Sequence, residues 1–204
     1  STDSFLSFLL LKNFNILKRI KALPGNVFYG HGLYSPDNKF LYVIENNYKN
    51  RQGHVVLRDI QNLKKIREFN VFGFHPHEVV LSHDNKRLFI SNTNTPTIGK
   101  RFSTLKFMDS KNKSSLNVIS LENGRLIIKE EIKYNYAVTH LSSVHDGNMA
   151  IGLSQIGKRE ALNKKVIEST HLAVAFWSQI DQKIHYVPAD SITDPLLKER
   201  LKHV

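Results

Sequence analysis

The chain has 204 residues, of which 41% are hydrophobic and 10% aromatic, so it can bury a sizeable core in one or two domains. It contains no cysteine, which excludes disulfide bonds and thiolate metal sites. Lys and Arg number 29 against 18 Asp and Glu, a formal net charge of +11. These cations are spread over separate Asn-rich turns without a stacking motif of aromatic and basic residues, so we do not expect a nucleic-acid partner.

The N-terminal stretch "SFLSFLLLKNFNILKRIKAL" predicts two strands joined by the turn "KNFN". Its apolar run, Phe5 to Leu11, is too short to span a bilayer. No positive charge precedes it, so it also lacks the pattern of an export signal. We therefore expect no membrane span in this chain.

The rest of the chain alternates short β-rich runs with turn signals, which predicts an all-β fold of antiparallel neighbours. The turn "LENG", residues 121 to 124, gives the clearest hairpin. One short C-terminal helix is expected where Asp194 and Pro195 precede "LLKERLK", because proline suits the first turn and an acid suits its positive end.

One sequence motif occurs in two similar copies: "HGLYSPDNKFLYVIEN" at residues 31 to 46 and "HEVVLSHDNKRLFISN" at residues 77 to 92. A third acidic turn follows, so that Asp37, Asp84 and Asp146 are separated by 47 and then 62 residues. A period near 45 to 50 residues built of strands predicts the four-stranded blades of a β-propeller. We expect a single propeller domain, 1–204.

The longer second interval is explained by a polar, irregular stretch at 93–115, which predicts an insertion loop on one face. Loops of this length more often carry function than connect strands. Its cations Lys100, Arg101 and Lys106 are expected in solvent.

Three histidines recur at one position of the repeat. His31, His77 and His140 stand six or seven residues before the acidic turn of their blades, at or just before the start of an equivalent strand. If that strand is the innermost, the three side chains converge on the central channel. Glu78 and the neighbouring His75 add candidate ligands or bases, and imidazole with carboxylate suits a transition metal.

A structural alternative stands beside the metal hypothesis, because repeat proteins reuse a polar residue to bond the backbone of the next blade. The histidine spacings are blade spacings and match no local metal motif. We expect structural roles for Trp177 as core packing, and for four strand-end residues as turn caps: Glu45, Asn46, Asn92 and Asn94. No nucleophile elbow, phosphate loop or dinucleotide fingerprint supports a hydrolase, NTPase or dehydrogenase.

The ordered motifs "FYGHGLYSPDNKFLYVIEN", "HPHEVVLSHDNKRLFISN", "SLNVISLENGRLI" and "THLSSVHDGNMAIG" closely resemble bacterial propellers of domain of unknown function number 1513, relatives of the YVTN-repeat proteins. The resemblance implies a seven-bladed propeller, export to the periplasm and genomic association with iron uptake, without an assigned activity.

Family members are longer, and this chain accounts for about four blades. The resemblance therefore implies that remaining blades or a protein partner cover open sheet edges, which otherwise invite aggregation. A compact four-bladed closure is the alternative, since the chain length would just permit it.

Two functions follow as hypotheses. The first is an exported, non-catalytic binding or scaffold protein of iron acquisition, which uses the channel mouth and the 93–115 loop. The second is a metal- or quinone-dependent oxidoreductase built on the histidine ring. The only cofactor that the sequence suggests is iron or another transition metal, and enzyme activity has no motif to support it.

Overall fold

The structure is a computed structural model that describes residues 5–10, 15–94, 113–133, 136–155 and 174–187. These residues form fourteen strands and a single 3-10 turn at His145–Gly147, which agrees with the predicted all-β fold. Within this part of the chain, no helix is long and apolar enough to cross a membrane.

The strands, in chain order, are β1 (Phe5–Leu10), β2 (Asn15–Lys21), β3 (Asn26–Tyr34), β4 (Phe40–Asn47), β5 (Gln52–Asp59), β6 (Lys65–Asn70), β7 (Pro76–Leu81), β8 (Arg87–Asn92), β9 (Ser115–Ser120), β10 (Leu126–Glu131), β11 (Tyr136–Ser143), β12 (Met149–Gln155), β13 (Val174–Trp177) and β14 (Ile184–Val187).

Twelve of these strands form three antiparallel sheets of four, each paired in chain order. We call them the first blade (β3 to β6), the second blade (β7 to β10) and the third blade (β11 to β14). Strands β1 and β2 form a separate antiparallel pair, the predicted N-terminal strand pair. The first strand of the second blade, β7, contacts both β3 and β11, so the three first strands lie side by side as the inner strands of a propeller.

The repeated acidic turns connect the first two strands of each blade. In the first blade, Asp37 accepts hydrogen bonds from the Ser35 hydroxyl at 2.6 Å and the Lys39 amide at 3.1 Å. Asp84 makes the same contacts to Ser82 and Lys86 in the second blade. The third turn differs, because Asp146 itself takes the left-handed conformation, with a φ of 60°.

The core lies between the blades. Alternate side chains along the strands of the second blade pack against the first blade and against the third. Leu88 and Ile90 pack toward the first blade, whereas Phe89 packs toward the third. Trp177 is fully buried, with its ring centroid 4.8 Å from that of Phe89, as expected for a packing residue.

Of the strand-end polar residues, three are buried (Glu45, Asn46 and Asn92) and Asn94 is partly buried, and most of them bond other segments of the chain. Glu45 pairs with Arg58 at 2.8 Å, the Asn46 amide oxygen accepts the His75 amide, and Asn94 accepts the Phe74 amide. Asn92 does not behave as the predicted cap, because its buried side-chain amide has no hydrogen-bond partner among the described residues.

Some predictions fall outside the described residues. These are the C-terminal helix at Asp194 and Pro195, and most of the 93–115 insertion with its three cations. The structure places that insertion between the second and third strands of the second blade, since β8 ends at Asn92 and β9 begins at Ser115. The seven-bladed ring and the extent of the domain remain predictions.

Candidate metal centre

The inner strands of three successive blades bring the predicted histidines together. His31 lies on β3, His77 on β7 and His140 on β11, and one ring nitrogen from each lies within 4.8 Å of the others. Their ring centroids are 5.1 to 5.5 Å apart, each pair meeting edge to face. Residues 109 positions apart in the chain thus meet where a propeller has its central channel.

Each inner strand is irregular at its histidine. In β7, His77 is an extra residue between the pairs Pro76–Asn92 and Glu78–Ser91. In β11, the register shifts between Val138 and His140. In β3, the shift lies between Phe28 and Gly32 and so includes His31. Bulges re-aim side chains and are common beside active sites, so they account for histidines that leave the regular alternation of a strand.

Close packing of β3 on β7 brings His31 to His77. Gly30 has a φ of +72°, and a Cβ built on it would lie 2.2 Å from the carbonyl oxygen of His77. Only glycine tolerates both that conformation and that approach. The "GHG" of the first repeat is therefore part of the site.

Glu78 lies under the histidines and contacts two of them. Its Oε2 lies 3.0 Å from Nδ1 of His140 and also accepts the main-chain amide of Leu141 at 3.2 Å. Its Oε1 lies 3.8 Å from Nδ1 of His31. The side chain is 18% exposed, whereas those of His31 and His140 are 49% and 59% exposed.

The electrostatics favour the neutral imidazole at His77. Burial lowers the pKa of His77, and the neighbouring His31 and His140 lower it further, while Glu78 opposes them. A metal ligand must be the neutral imidazole, so a lowered pKa prepares His77 for ligation.

The donor set fits one ion after a small closure. Metal–nitrogen bonds of 2.0–2.1 Å place two donors of a tetrahedral ion about 3.4 Å apart, so the nitrogens must close by roughly 1.4 Å at most. His31 and His140 are about half exposed and can make that movement by rotating their side chains.

His75 does not join the cluster, although it stands two residues before His77. Its ring is fully buried between Tyr29 and Phe74, with centroids 4.7 and 4.3 Å away. Its Nε2 lies 3.1 Å from the hydroxyl of Tyr48. Burial, followed by the charge of Arg51, lowers the pKa of His75 to about 4.

The sequence pattern predicted His31, His77, His140 and Glu78 as candidate site residues, and the structure places all four together. It did not find the contribution of Gly30 or the aromatic packing of Tyr29 beside the site, although "FYGHG" contains both. The available sequence signal was a glycine directly before a repeated histidine, because glycine readily adopts the positive φ that Gly30 has.

Residues 3–183 match the family described as "Protein of unknown function (DUF1513)". The chain belongs to this family. No curated protein matches the chain. Membership agrees with the resemblance of the repeated motifs and assigns no activity.

Solved propellers show the same fold at low sequence identity. The periplasmic gluconolactonase PpgL of Pseudomonas aeruginosa is 14% identical with a TM-score of 0.59, and the match covers 92% of this chain and 52% of that one. The dihydro-heme d1 dehydrogenase NirN is 14% identical with a TM-score of 0.53, covering 91% and 33%. Hydrazine synthase of Kuenenia stuttgartiensis is 14% identical with a TM-score of 0.50, covering 90% and 60%.

At this identity the likeness establishes the fold alone, a β-propeller. The chain spans between a third and three fifths of the length of these proteins. The remaining segments of these proteins lie outside the part that matches this chain.

Proposed function

We propose that this family member is an exported binding propeller that holds one transition-metal ion between His31, His77 and His140, and that it serves iron acquisition. The convergence of three imidazoles from three blades is the observation that carries the proposal. Imidazole nitrogen is a common ligand of zinc, copper, nickel and ferrous iron.

The structural alternative, a repeated bond to the next blade, finds less support. None of the three imidazoles bonds a main-chain group within the described residues, whereas Asn46 and Asn117 do so across blades. A polar side chain kept for packing is normally buried and satisfied, but His31 and His140 are about half exposed. An exposed cluster of three imidazoles has no evident packing role.

Two observations support the exported, iron-related part of the proposal. The family resemblance implies export and iron-uptake neighbours, and the propeller fold is shared with a periplasmic gluconolactonase. The absence of cysteine is compatible with either redox compartment, so it does not weigh on this point.

A metal- or quinone-dependent oxidoreductase is the second candidate. It is favoured by the exposure of the cluster, because three ligands on one side of an ion leave positions open to a substrate, as in catalytic metal sites. Catalytic oxidation of an added quinol to the quinone by the iron- or copper-loaded protein, with dioxygen as the electron acceptor and loss of the activity in His77→Ala, would favour this function over simple binding.

Metal titration of the full chain tests the proposal. We expect one Zn²⁺ or, under anaerobic conditions, one Fe²⁺ per chain, measured by competition with a chromophoric chelator. His31→Ala and His77→Ala should each weaken binding by more than about 100-fold, because even lost second-shell contacts cost 10–100-fold.

His185→Ala is the matched control, since His185 is also exposed and paired with a carboxylate, Asp181, at 2.8 Å. It lies away from the cluster on β14 and should leave affinity unchanged. Equal losses in the control and in the site variants would show non-specific histidine binding and contradict the proposal.

A further inference from the structure

We infer that Glu78 is a positioning residue rather than a metal ligand, and that the site therefore selects a divalent metal of borderline softness over ferric iron. This inference rests on the proposed metal function. It assigns Glu78 to the orientation of the imidazoles and leaves an all-nitrogen donor set.

The carboxylate of Glu78 is fixed in place by its own contacts. Oε2 accepts the Leu141 amide at 3.2 Å and lies 3.0 Å from Nδ1 of His140, while Oε1 faces Nδ1 of His31 at 3.8 Å. The main chain of Glu78 is fixed as well, because its amide donates to the Ser91 hydroxyl at 2.9 Å. That hydroxyl donates in turn to the Thr139 carbonyl at 3.2 Å, which ties β7 to β11 beside the histidines.

These contacts decide which imidazole nitrogen is available. A carboxylate only accepts hydrogen bonds, so Nδ1 of His140 carries the proton and its Nε2 offers a lone pair. Metal-bound histidines commonly donate their other N–H to such a carboxylate, which orients the ring and raises its basicity. Oε1 lies 3.8 Å from Nδ1 of His31, so the same carboxylate faces the corresponding nitrogen of a second imidazole.

The all-nitrogen donor set determines which class of metal the site can hold. Three neutral nitrogens without a carboxylate in the first shell suit Zn²⁺, Cu²⁺, Ni²⁺ or Fe²⁺. Ferric iron is a harder and more highly charged ion than any of these and would need anionic oxygen ligands that this set does not supply. Iron bound here is therefore ferrous.

X-ray absorption of the Zn²⁺-loaded full chain is the first test, because it needs no variant. We expect imidazole scattering from three ligands with solvent completing the shell. Competition of the same protein against Zn²⁺ and ferric nitrilotriacetate should show binding of Zn²⁺ alone. A bound carboxylate in the wild-type spectrum, or tighter binding of ferric iron, would overturn the inference.

The second test replaces the carboxylate by an amide of the same shape. Glu78→Gln should weaken Zn²⁺ and Fe²⁺ binding by about 10–100-fold, the usual effect of a second-shell loss. The three-imidazole spectrum and the stoichiometry should stay unchanged. Glu68→Gln is the matched control, since Glu68 pairs with Nδ1 of His54 at 2.9 Å away from the cluster.

The outcomes separate this inference from the proposed function. Unchanged affinity in Glu78→Gln, or loss of an oxygen ligand from its spectrum, overturns the role of Glu78 while metal binding stands. A wild-type chain that binds none of the divalent ions overturns both.

Discussion

His75 and His77 stand two residues apart in "HPH" and both contact Tyr29, yet their other neighbours differ. His77 meets two other imidazoles, whereas His75 is enclosed by aromatic rings. His75 also has a φ of 52°, a left-handed conformation that non-glycine residues seldom adopt. The turn before β7 thus directs one histidine to the site and the other into the packing of the fold.

The buried His75 predicts an acid-sensitive fold. Its pKa is about 4 in the folded chain, against an ordinary value near 6.5 in the unfolded chain. Below pH 6.5 the unfolded state binds a proton at His75 that the folded state does not bind. The free energy of unfolding therefore decreases as the pH falls from 7 toward 4. The loss attributable to His75 is up to about 3 kcal/mol, from 1.36 kcal/mol per pKa unit.

Urea unfolding at pH 7.0 and pH 4.5 checks this expectation. His75→Gln should be less stable than wild type at pH 7.0, and this deficit should shrink at pH 4.5. His83→Gln, a change at an exposed histidine, serves as the control and should follow wild type. A deficit that is independent of pH would show that His75 contributes packing alone.

At the scale of elements, the repeated motif was enough to predict the blades and the equivalent positions of the histidines. It did not predict the bulges within the strands. The spacing from histidine to acidic turn is six residues for His31 and His140 and seven for His77, which already indicates unequal registers. Whether such a difference is absorbed by a bulge in the strand or by the turn depends on contacts between blades. Local pattern carries no information about those contacts.

The partner of Glu78 was unpredictable for the same reason. Alternation along a regular strand would send His77 and Glu78 to opposite faces, and only the bulge at His77 places both beside His140. The sequence could therefore predict which side chains meet at the candidate site, whereas the separate roles proposed for the histidines and for Glu78 could not be predicted.

Replacing Gly30 tests how strongly stability and the site depend on the close approach of β3 to β7. Gly30→Ala should destabilise the chain by about 2–5 kcal/mol, since overpacking costs about 1–3 kcal/mol and a left-handed alanine about 1–2 kcal/mol. It should also weaken Zn²⁺ binding at least tenfold, because β3 must move away from His77. Thermal unfolding and chelator competition measure the two effects.

Gly25→Ala separates conformation from space. Gly25 also has a positive φ, of +82°, but a Cβ there would meet only the Asn47 side chain at 3.4 Å. The control should cost about 1–2 kcal/mol, the cost of the left-handed alanine alone, and leave metal affinity unchanged. Equal effects of the two substitutions would show that the close contact with His77 is unimportant.

At the scale of the whole molecule, the blades depend on one another, because the second blade packs one face on the first blade and the other on the third. In the second blade, β8 sends Leu88 and Ile90 to one interface and Phe89 to the other. Side chains also bond across interfaces, as when Arg67 donates to the Leu121 carbonyl at 2.7 Å and Asn117 to that of Val71. A site assembled from three blades is therefore only as rigid as these interfaces.

Phe89 and Trp177 allow that dependence to be measured. Phe89→Ala removes a buried ring from the interface between the second and third blades, and should cost about 3–5 kcal/mol. Trp177 is the only tryptophan in the chain and packs on Phe89 at 4.8 Å, so its fluorescence reports this interface alone. We expect a red-shifted emission in Phe89→Ala and a weaker Zn²⁺ affinity, because His140 belongs to the third blade.

Phe72→Ala, a change at a ring that is 41% exposed, is the control and should alter neither the emission nor the affinity. A destabilised Phe89→Ala that keeps wild-type metal affinity would show that the three inner strands hold the histidines without help from the outer packing.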